Sequence, residues 1–260
     1  MSGLVLRELN DGVLRLTLND VATRNSLSEA MIDELHGAIA GCDARVIIIA
    51  ANGPAFSSGH NLKEITAHRA DADEGAAYFK NLFDKCARLI LLITQSPCPV
   101  IAEVDGLASA AGCQLVASCD LAIATDRATF CTPGVNIGLF CSTPMVAVSR
   151  VAGRKHAMEL LLTGDVFPAQ DAMRMGLINH VVTHNELRTA AADLANKIAS
   201  KSAAAIKIGK QAFDAQLEMP VAEAYSYMAQ IMADNLLIND AKEGIGAFIQ
   251  KRYPKWEQDA

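Results

Sequence analysis

Phe56-Ser57-Ser58-Gly59-His60-Asn61-Leu62-Lys63 and, further on, Asp105-Gly106-Leu107-Ala108-Ser109-Ala110-Ala111-Gly112-Cys113-Gln114 are the stretches on which the fold turns. Each reads as a strand and loop passing into a helix. Gly59 closes the first loop, and Asn61 to Ile65 can begin a short helix; Ala110-Ala111-Gly112 open the second helix. The first N–H groups of a helix have no intrahelical partner. Amides at such turns therefore favour developing negative charge, and three small residues let a ligand approach the backbone. Two N–H groups from separate loops aimed at one oxygen form an oxyanion hole, in which each donor is worth about 3 kcal/mol of transition-state stabilisation. Taken singly, either loop reads first as a tight strand-to-helix turn.

Outward from these loops the pattern is mixed α/β. Leu4 to Leu9 and Val13 to Leu18 read as strands around Asn10-Asp11-Gly12, with Leu14, Leu16 and Leu18 on one buried face. Leu27 to Ile39 is amphipathic at helical spacing, with Ser26 or Ser28 as its cap. Arg45 to Ala50 is a continuous β-branched run, expected of a strand covered on both faces. Asp73 to Thr94 predicts a long helix, Val100 to Val104 a strand, Ala110 to Ala117 a helix and Leu121 to Ala124 a strand. After Glu186 the chain is helical, with Pro220 expected at N1. Residues 1–185 thus form an α/β core, and residues 186–260 a helical C-terminal region.

The 260 residues are half apolar and one-fifth charged, ordinary for a globular protein with a sizeable core. A net charge of −6 argues against nucleic-acid binding. An anionic small ligand needs only local cations, for which Arg24, Lys63, Lys251, Arg252 and Lys255 are available. The seven cysteines form no Cys-x-x-Cys pair and read as small buried thiols in a reducing compartment. The start of the chain shows no signal or transit pattern, and no apolar run is long enough to span a bilayer. The location expected on these grounds is the cytoplasm.

Together and in this order, the blocks resemble the crotonase (enoyl-CoA hydratase/isomerase) superfamily, and its enoyl-CoA hydratase domain-containing protein 3 branch. The resemblance runs almost end to end, through Ala55 to Glu64, Pro99 to Ala102, Gly106 to Gln114, Cys119 to Ala124, Thr163-Gly164, Ala169 to Ala172, Gly176-Leu177 and Glu243 to Phe248. It implies an α/β fold, a spiral of ββα turns with a helical C-terminal trimerisation region, assembled as a homotrimer or a dimer of trimers. It also implies an acyl-CoA thioester as ligand, with coenzyme A part of the substrate, no separate cofactor and no metal. The family's hole falls here on the backbone of His60 and Ala111. Family positions for coenzyme A fall on Asn61, Leu62 and Lys63, on Arg24, and on Phe248 and Lys251, which would reach a neighbouring subunit's nucleotide. The Arg-Pro common after the family's Leu-Asn step is replaced here by Asp20 to Asn25.

The resemblance breaks at the acid and base. Enoyl-CoA hydratases carry a glutamate two residues after the small-residue triplet, where this chain has Gln114. They carry a second just after the proline of Thr132-Pro133, where it has Gly134. A neutral amide can hold a water but cannot take its proton near neutral pH. Hydration of a 2-enoyl-CoA is therefore not expected. A thioester hydrolysis, isomerisation or decarboxylation needs less acid/base help, and a non-catalytic acyl-CoA binder or structural oligomer partner is the alternative. Ser142 and Cys141 fall on a loop where some relatives place a carboxylate; Cys141 reads as structural. The His60 ring projects from the proposed hole, and Asn136 and Gln114 could polarise a thioester. His180 and His184 read as structural, since i,i+4 spacing does not converge at a strand end. Asp120 is expected to fix a turn.

Overall fold

The computed structural model describes residues 3–257. β1 (Val5–Asn10) and β2 (Val13–Leu18) form an antiparallel hairpin whose turn residues, Asp11 and Gly12, both have positive φ. α1 (Glu29–Ala40) follows, its first turn capped by Ser28, whose side chain accepts from Met31 N–H. Met31, Ile32, Leu35, Ala38 and Ile39 bury its apolar stripe.

Three ββα turns come next. The first is β3 (Val46–Ala51), β4 (Ala55–Ser57), α2 (Leu62–Ala67) and α3 (Ala76–Thr94). The second is β5 (Val100–Val104), β6 (Leu107–Ser109) and α4 (Ala111–Ser118). The third is β7 (Leu121–Thr125), β8 (Thr129–Cys131), α5 (Ser142–Val151) and α6 (Arg154–Thr163). β9 (Phe167–Pro168), α7 (Ala169–Met175) and β10 (His180–Val182) close the α/β portion. α8 (Leu187–Ala199), α9 (Ala203–Leu217), α10 (Val221–Leu237) and α11 (Asn239–Ile249) complete the chain.

Each turn adds one strand to each of two sheets. The larger sheet runs β1-β2-β3-β5-β7-β10 and the smaller β4-β6-β8-β9. Because β4, β6 and β8 pair in parallel, the loops leaving them stack on one another. The main core lies between the sheets and α1, α3 and α4. A second cluster, with Ile48, Ile101 and Ile123, is covered by α8 through Leu187, Ala191 and Ala195.

The structure departs from the sequence pattern at four places. The long helix starts at Ala76, not Asp73, because Glu74 and Gly75 both take positive φ and Asp73 turns back to accept from Gly75 and Ala77 N–H. α4 starts at Ala111 because Ala110 takes positive φ. Pro220 is the N-cap of α10, not N1, because its ψ of 143° is extended. Arg15, opposite the leucine face, is buried nonetheless and pairs with buried Glu103.

Asp120 does more than fix a turn. Its Oδ2 accepts from Val100 N–H at 2.7 Å and from Lys210 Nζ at 2.6 Å, tying α9 to the start of β5. α10 buries none of its residues, and Val221, Tyr225, Leu237, Phe248 and Tyr253 are all more than two-thirds exposed around it. No helix among the described residues is long and apolar enough to cross a membrane.

Candidate functional site

The loop after β4 and the start of α4 meet. Gly59 has φ of +86°, and a Cβ built on it would lie 3.0 Å from Ala110 Cβ and 3.3 Å from Ala111 N. The contact is held from both sides. Leu27 N–H donates to Gly59 O at 2.8 Å, and Ala110 N–H donates to Cys131 O at 2.9 Å. Gly112 packs so closely on β4 that its would-be Cβ falls 2.4 Å from Ser57 O. Among the described residues the amides of His60 and Ala111, one on each side of this seam, have no hydrogen-bond partner, whereas the neighbouring Ala110 and Gln114 amides are bonded.

Gln114, one helical turn into α4, is 4% exposed, and its side-chain oxygen is buried without a partner. An unpaired buried polar atom costs about 1–3 kcal/mol, a cost that Gln114 carries here. Gly134 lies in the 3-10 turn Pro133–Ile137. Its side-chain space is already filled: a Cβ there would meet Cys141 Sγ at 2.9 Å and Leu139 O at 2.9 Å. Burial raises the pKa of Cys141, so the thiol stays protonated.

The His60 ring is held by the segment before α1. Its Nδ1–H donates to Leu27 O at 3.1 Å, and the ring stands edge-on to Phe83 at 5.3 Å. Its Nε2 is buried without a partner, and desolvation lowers its pKa, favouring the neutral ring. The side chain that the sequence places beside the proposed hole is thus tied to the Leu27 carbonyl.

The other sequence candidates sort by place. Asn61 caps α2, its side-chain oxygen accepting from Lys63 N–H at 3.1 Å and Glu64 N–H at 3.4 Å, while Leu62 and Lys63 are exposed beside it. Exposed Arg24 is brought to the same loop, its carbonyl accepting from Ser58 N–H at 3.0 Å. Ser142 is exposed at the start of α5, its hydroxyl 3.3 Å from Phe140 O. Asn136 leans instead on Gly164 O at 3.4 Å. Phe248 and Lys251 lie exposed at the far end of α11. His184 pairs with Asp105 at 3.0 Å rather than with His180. Among the described residues, no group of three or more His, Cys, Asp or Glu is arranged to hold a metal ion.

Comparison with known proteins fits this geometry. The profile of the enoyl-CoA hydratase/isomerase family matches residues 8–259. The chain belongs to that family. Enoyl-CoA hydratase domain-containing protein 3, mitochondrial, of Rattus norvegicus is 48% identical over 251 residues, covering 95% of this chain and 82% of that protein. The Homo sapiens protein of that name is 47% identical over 254 residues, covering 96% and 82%. The crystal structure of human enoyl-CoA hydratase domain-containing protein 3 superimposes with a TM-score of 0.92 at 44% identity, covering 97% of this chain and 100% of that chain. An enoyl-CoA hydratase from Mycobacterium smegmatis gives a TM-score of 0.93 at 43% identity, covering 99% and 100%. The fold is therefore that of the crotonase superfamily, and the chain stands with the domain-containing protein 3 branch.

These relatives correct one expectation. The cytoplasmic location inferred from the start of the chain does not stand, because the relatives at 44–48% identity are named as mitochondrial proteins.

Proposed function

We propose that this protein binds acyl-CoA thioesters and polarises their carbonyl with the amides of His60 and Ala111, without acting as a 2-enoyl-CoA hydratase. One observation carries the reading. Two amides without a partner among the described residues lie on either side of the Gly59–Ala110 seam, while the positions where hydratases carry carboxylates are Gln114 and Gly134. Each absent acid/base contact removes roughly 10²–10⁴ in rate. The hole can still stabilise an enolate or a tetrahedral oxyanion. Among thioester hydrolysis, isomerisation and decarboxylation, the last asks least of the side chains. The departing carboxylate itself supplies the electron pair that the polarised carbonyl receives, so no protein base is needed to start.

Coenzyme A is part of the substrate in this reading, and no separate cofactor is invoked. Lys63 and Arg24 border the loop where an anionic ligand would pass, and Phe248 and Lys251 would serve a neighbouring copy. The bare apolar surface of α10 and α11 supports a homotrimer or a dimer of trimers, since patches of this kind mark association surfaces. The second reading is a non-catalytic binder, favoured by a site whose buried polar side chain is an amide and whose neighbouring thiol is protonated.

A panel of saturated, 2-enoyl and malonyl-type CoA thioesters, scored by calorimetry for binding and by thiol or carbon dioxide release for turnover, decides the matter. Binding with turnover but negligible crotonyl-CoA hydration is the expected result. Rapid hydration would overturn the proposal. Binding with no turnover of any member selects the second reading, and absence of binding removes both.

A further inference from the structure

Cys42 and Cys98 stand apart from the other thiols. Cys86, Cys113, Cys131 and Cys141 are buried, and burial raises the pKa of all four and of Cys119. Cys42 follows the C-terminus of α1, and Cys98 lies in the loop before β5; both are only half-buried. Their side chains are within hydrogen-bond reach of each other, and Cys98 Sγ lies 2.7 Å from Ala44 O. A cleft of about 270 Å³ exposes both sulfur-bearing residues together, lined also by Ile39, Leu92 and Gln95. A second cleft of about 290 Å³ reaches Cys42 from the other side, past Arg7 and Asp43.

The surroundings set the charge of the pair. The Cys98 thiol, the Ala44 amide and the Arg7 guanidinium draw the Cys42 pKa down to about 6 against the opposing effect of burial. Cys98 is pushed up, chiefly by the same hydrogen bond and by desolvation. Lys210, which donates to Cys98 O at 3.1 Å, keeps the loop in place. The contact between the two side chains thus favours the thiolate on Cys42 and disfavours it on Cys98. Low-pKa, accessible thiolates beside a second cysteine are the ones that exchange with disulfides. α1, twelve residues and about 18 Å long, separates this place from the seam at Gly59, so the pair is no part of the acyl site.

We propose that Cys42 and Cys98 form a redox-active dithiol that takes small disulfides as its oxidising substrate and closes to an intramolecular disulfide. The Cys42 thiolate attacks one sulfur of a disulfide RSSR, forming Cys42–S–SR and expelling RS⁻. The Cys98 thiol gives its proton to that RS⁻, and its sulfur then displaces the second RS⁻ from Cys42, which takes a proton from water. Two protein thiols are oxidised, and RSSR is reduced to two RSH.

The test uses the full chain and glutathione disulfide. Intact mass is expected to fall by two hydrogens, and peptides mapped without reduction should join Cys42 to Cys98. Cys98→Ser should stop at the Cys42–glutathione mixed disulfide, and Cys42→Ser should give no linked product. The rate of Cys42 alkylation by iodoacetamide should rise with a midpoint near pH 6, set by the lowered pKa. In Cys98→Ala, which removes the donor that a serine hydroxyl would keep, that midpoint should move up, slowing alkylation at pH 6.5 by roughly tenfold. A purely structural pair would not move this profile, and wild-type alkylation gives the answer even if a variant folds poorly. Linkage elsewhere, no linkage, or a Cys42 midpoint at the ordinary thiol value of about 8.5 would each overturn the proposal.

Discussion

The proposed site has two halves made from different turns of the spiral, and they are built differently. The amide half, where the loop after β4 meets the start of α4, is built from backbone. It is held by positive-φ Gly59, by Gly112 against Ser57 and by the Leu27 and Cys131 bonds. The side-chain half, made of Gln114 and the Pro133–Ile137 turn, has no carboxylate, and the space beside Gly134 is taken up by Cys141 and Leu139. A backbone device depends on fold geometry, so it survives any exchange that keeps the geometry. A side-chain device can be lost in one substitution, and the space then repacks. The loss is harder to reverse than the sequence alone suggests.

The sharpest way to break this contrast is Gly112→Ala. A methyl there would stand 2.4 Å from Ser57 O and 2.8 Å from Ser57 Cβ, so β4 or α4 must move. Overpacking of this kind costs about 3 kcal/mol, or roughly 6–12 °C in Tm for a domain of this size, and acyl-CoA binding should fall with it. An unchanged melting temperature would mean that the amide half is not rigid.

Gly134→Glu attacks the other half. Its Cβ meets Cys141 Sγ and Leu139 O at 2.9 Å each, so the variant should lose about 1–3 kcal/mol. Adding Cys141→Ala removes one of the two contacts and should recover part of the loss in a thermal scan. Gln114→Glu alone should gain no crotonyl-CoA hydration, because one carboxylate remains missing. The triple exchange Gln114→Glu, Gly134→Glu and Cys141→Ala should gain it. Hydration by the single variant would show that the side-chain half is less depleted than drawn here.

His60 gives a smaller effect with a definite sign. Its folded pKa lies below the ordinary 6.5 through burial, so the unfolded chain binds the proton first as pH falls. The corresponding stability is complete above about pH 6.5 and is lost as pH drops toward the folded pKa. Melting temperature should decline over that interval, and His60→Gln, whose amide can still donate to Leu27 O, should flatten the decline. An identical slope in the variant would assign the acid sensitivity to other groups.

Which parts of this were legible in sequence follows from how each is encoded. The strand Val46–Ala51 and the α1 stripe are periodic apolar patterns, and burial forces them to read as they fold. The two loops are legible only together and in order, because singly each reads as a tight strand-to-helix turn. The emptied carboxylate positions show as Gln114 and Gly134, but only against a family pattern. What filled the space beside Gly134 does not show, because Cys141 reaches it through a turn with no local signal. Arg15 misleads for a similar reason: alternation places it outward, and its partner Glu103 lies on a strand far along the chain. The part-buried Cys42 and Cys98 depart from the reading of the cysteines as small buried thiols for the same cause, since their exposure depends on the end of α1 and the loop before β5.

The smallest prediction tests whether the amide half stores strain. Ala110 sits at φ 49° and ψ −114°, a region that a Cβ disfavours, immediately before the unpartnered Ala111 amide. Such a residue costs of order 1–3 kcal/mol and persists only where its surroundings fix it. Here the fixing comes from its own N–H on Cys131 O and from the Gln114 N–H on its carbonyl. Ala110→Gly removes the steric cost but adds freedom to the unfolded chain, which offsets about 0.4–1 kcal/mol. The balance should leave the variant neutral or stabler by about 1 kcal/mol, with the Ala111 amide and acyl-CoA affinity unchanged. A marked loss of stability would mean that the Ala110 methyl, packed against Gly59, contributes more than its backbone costs, and that the seam is held by side-chain contact as well as by hydrogen bonds.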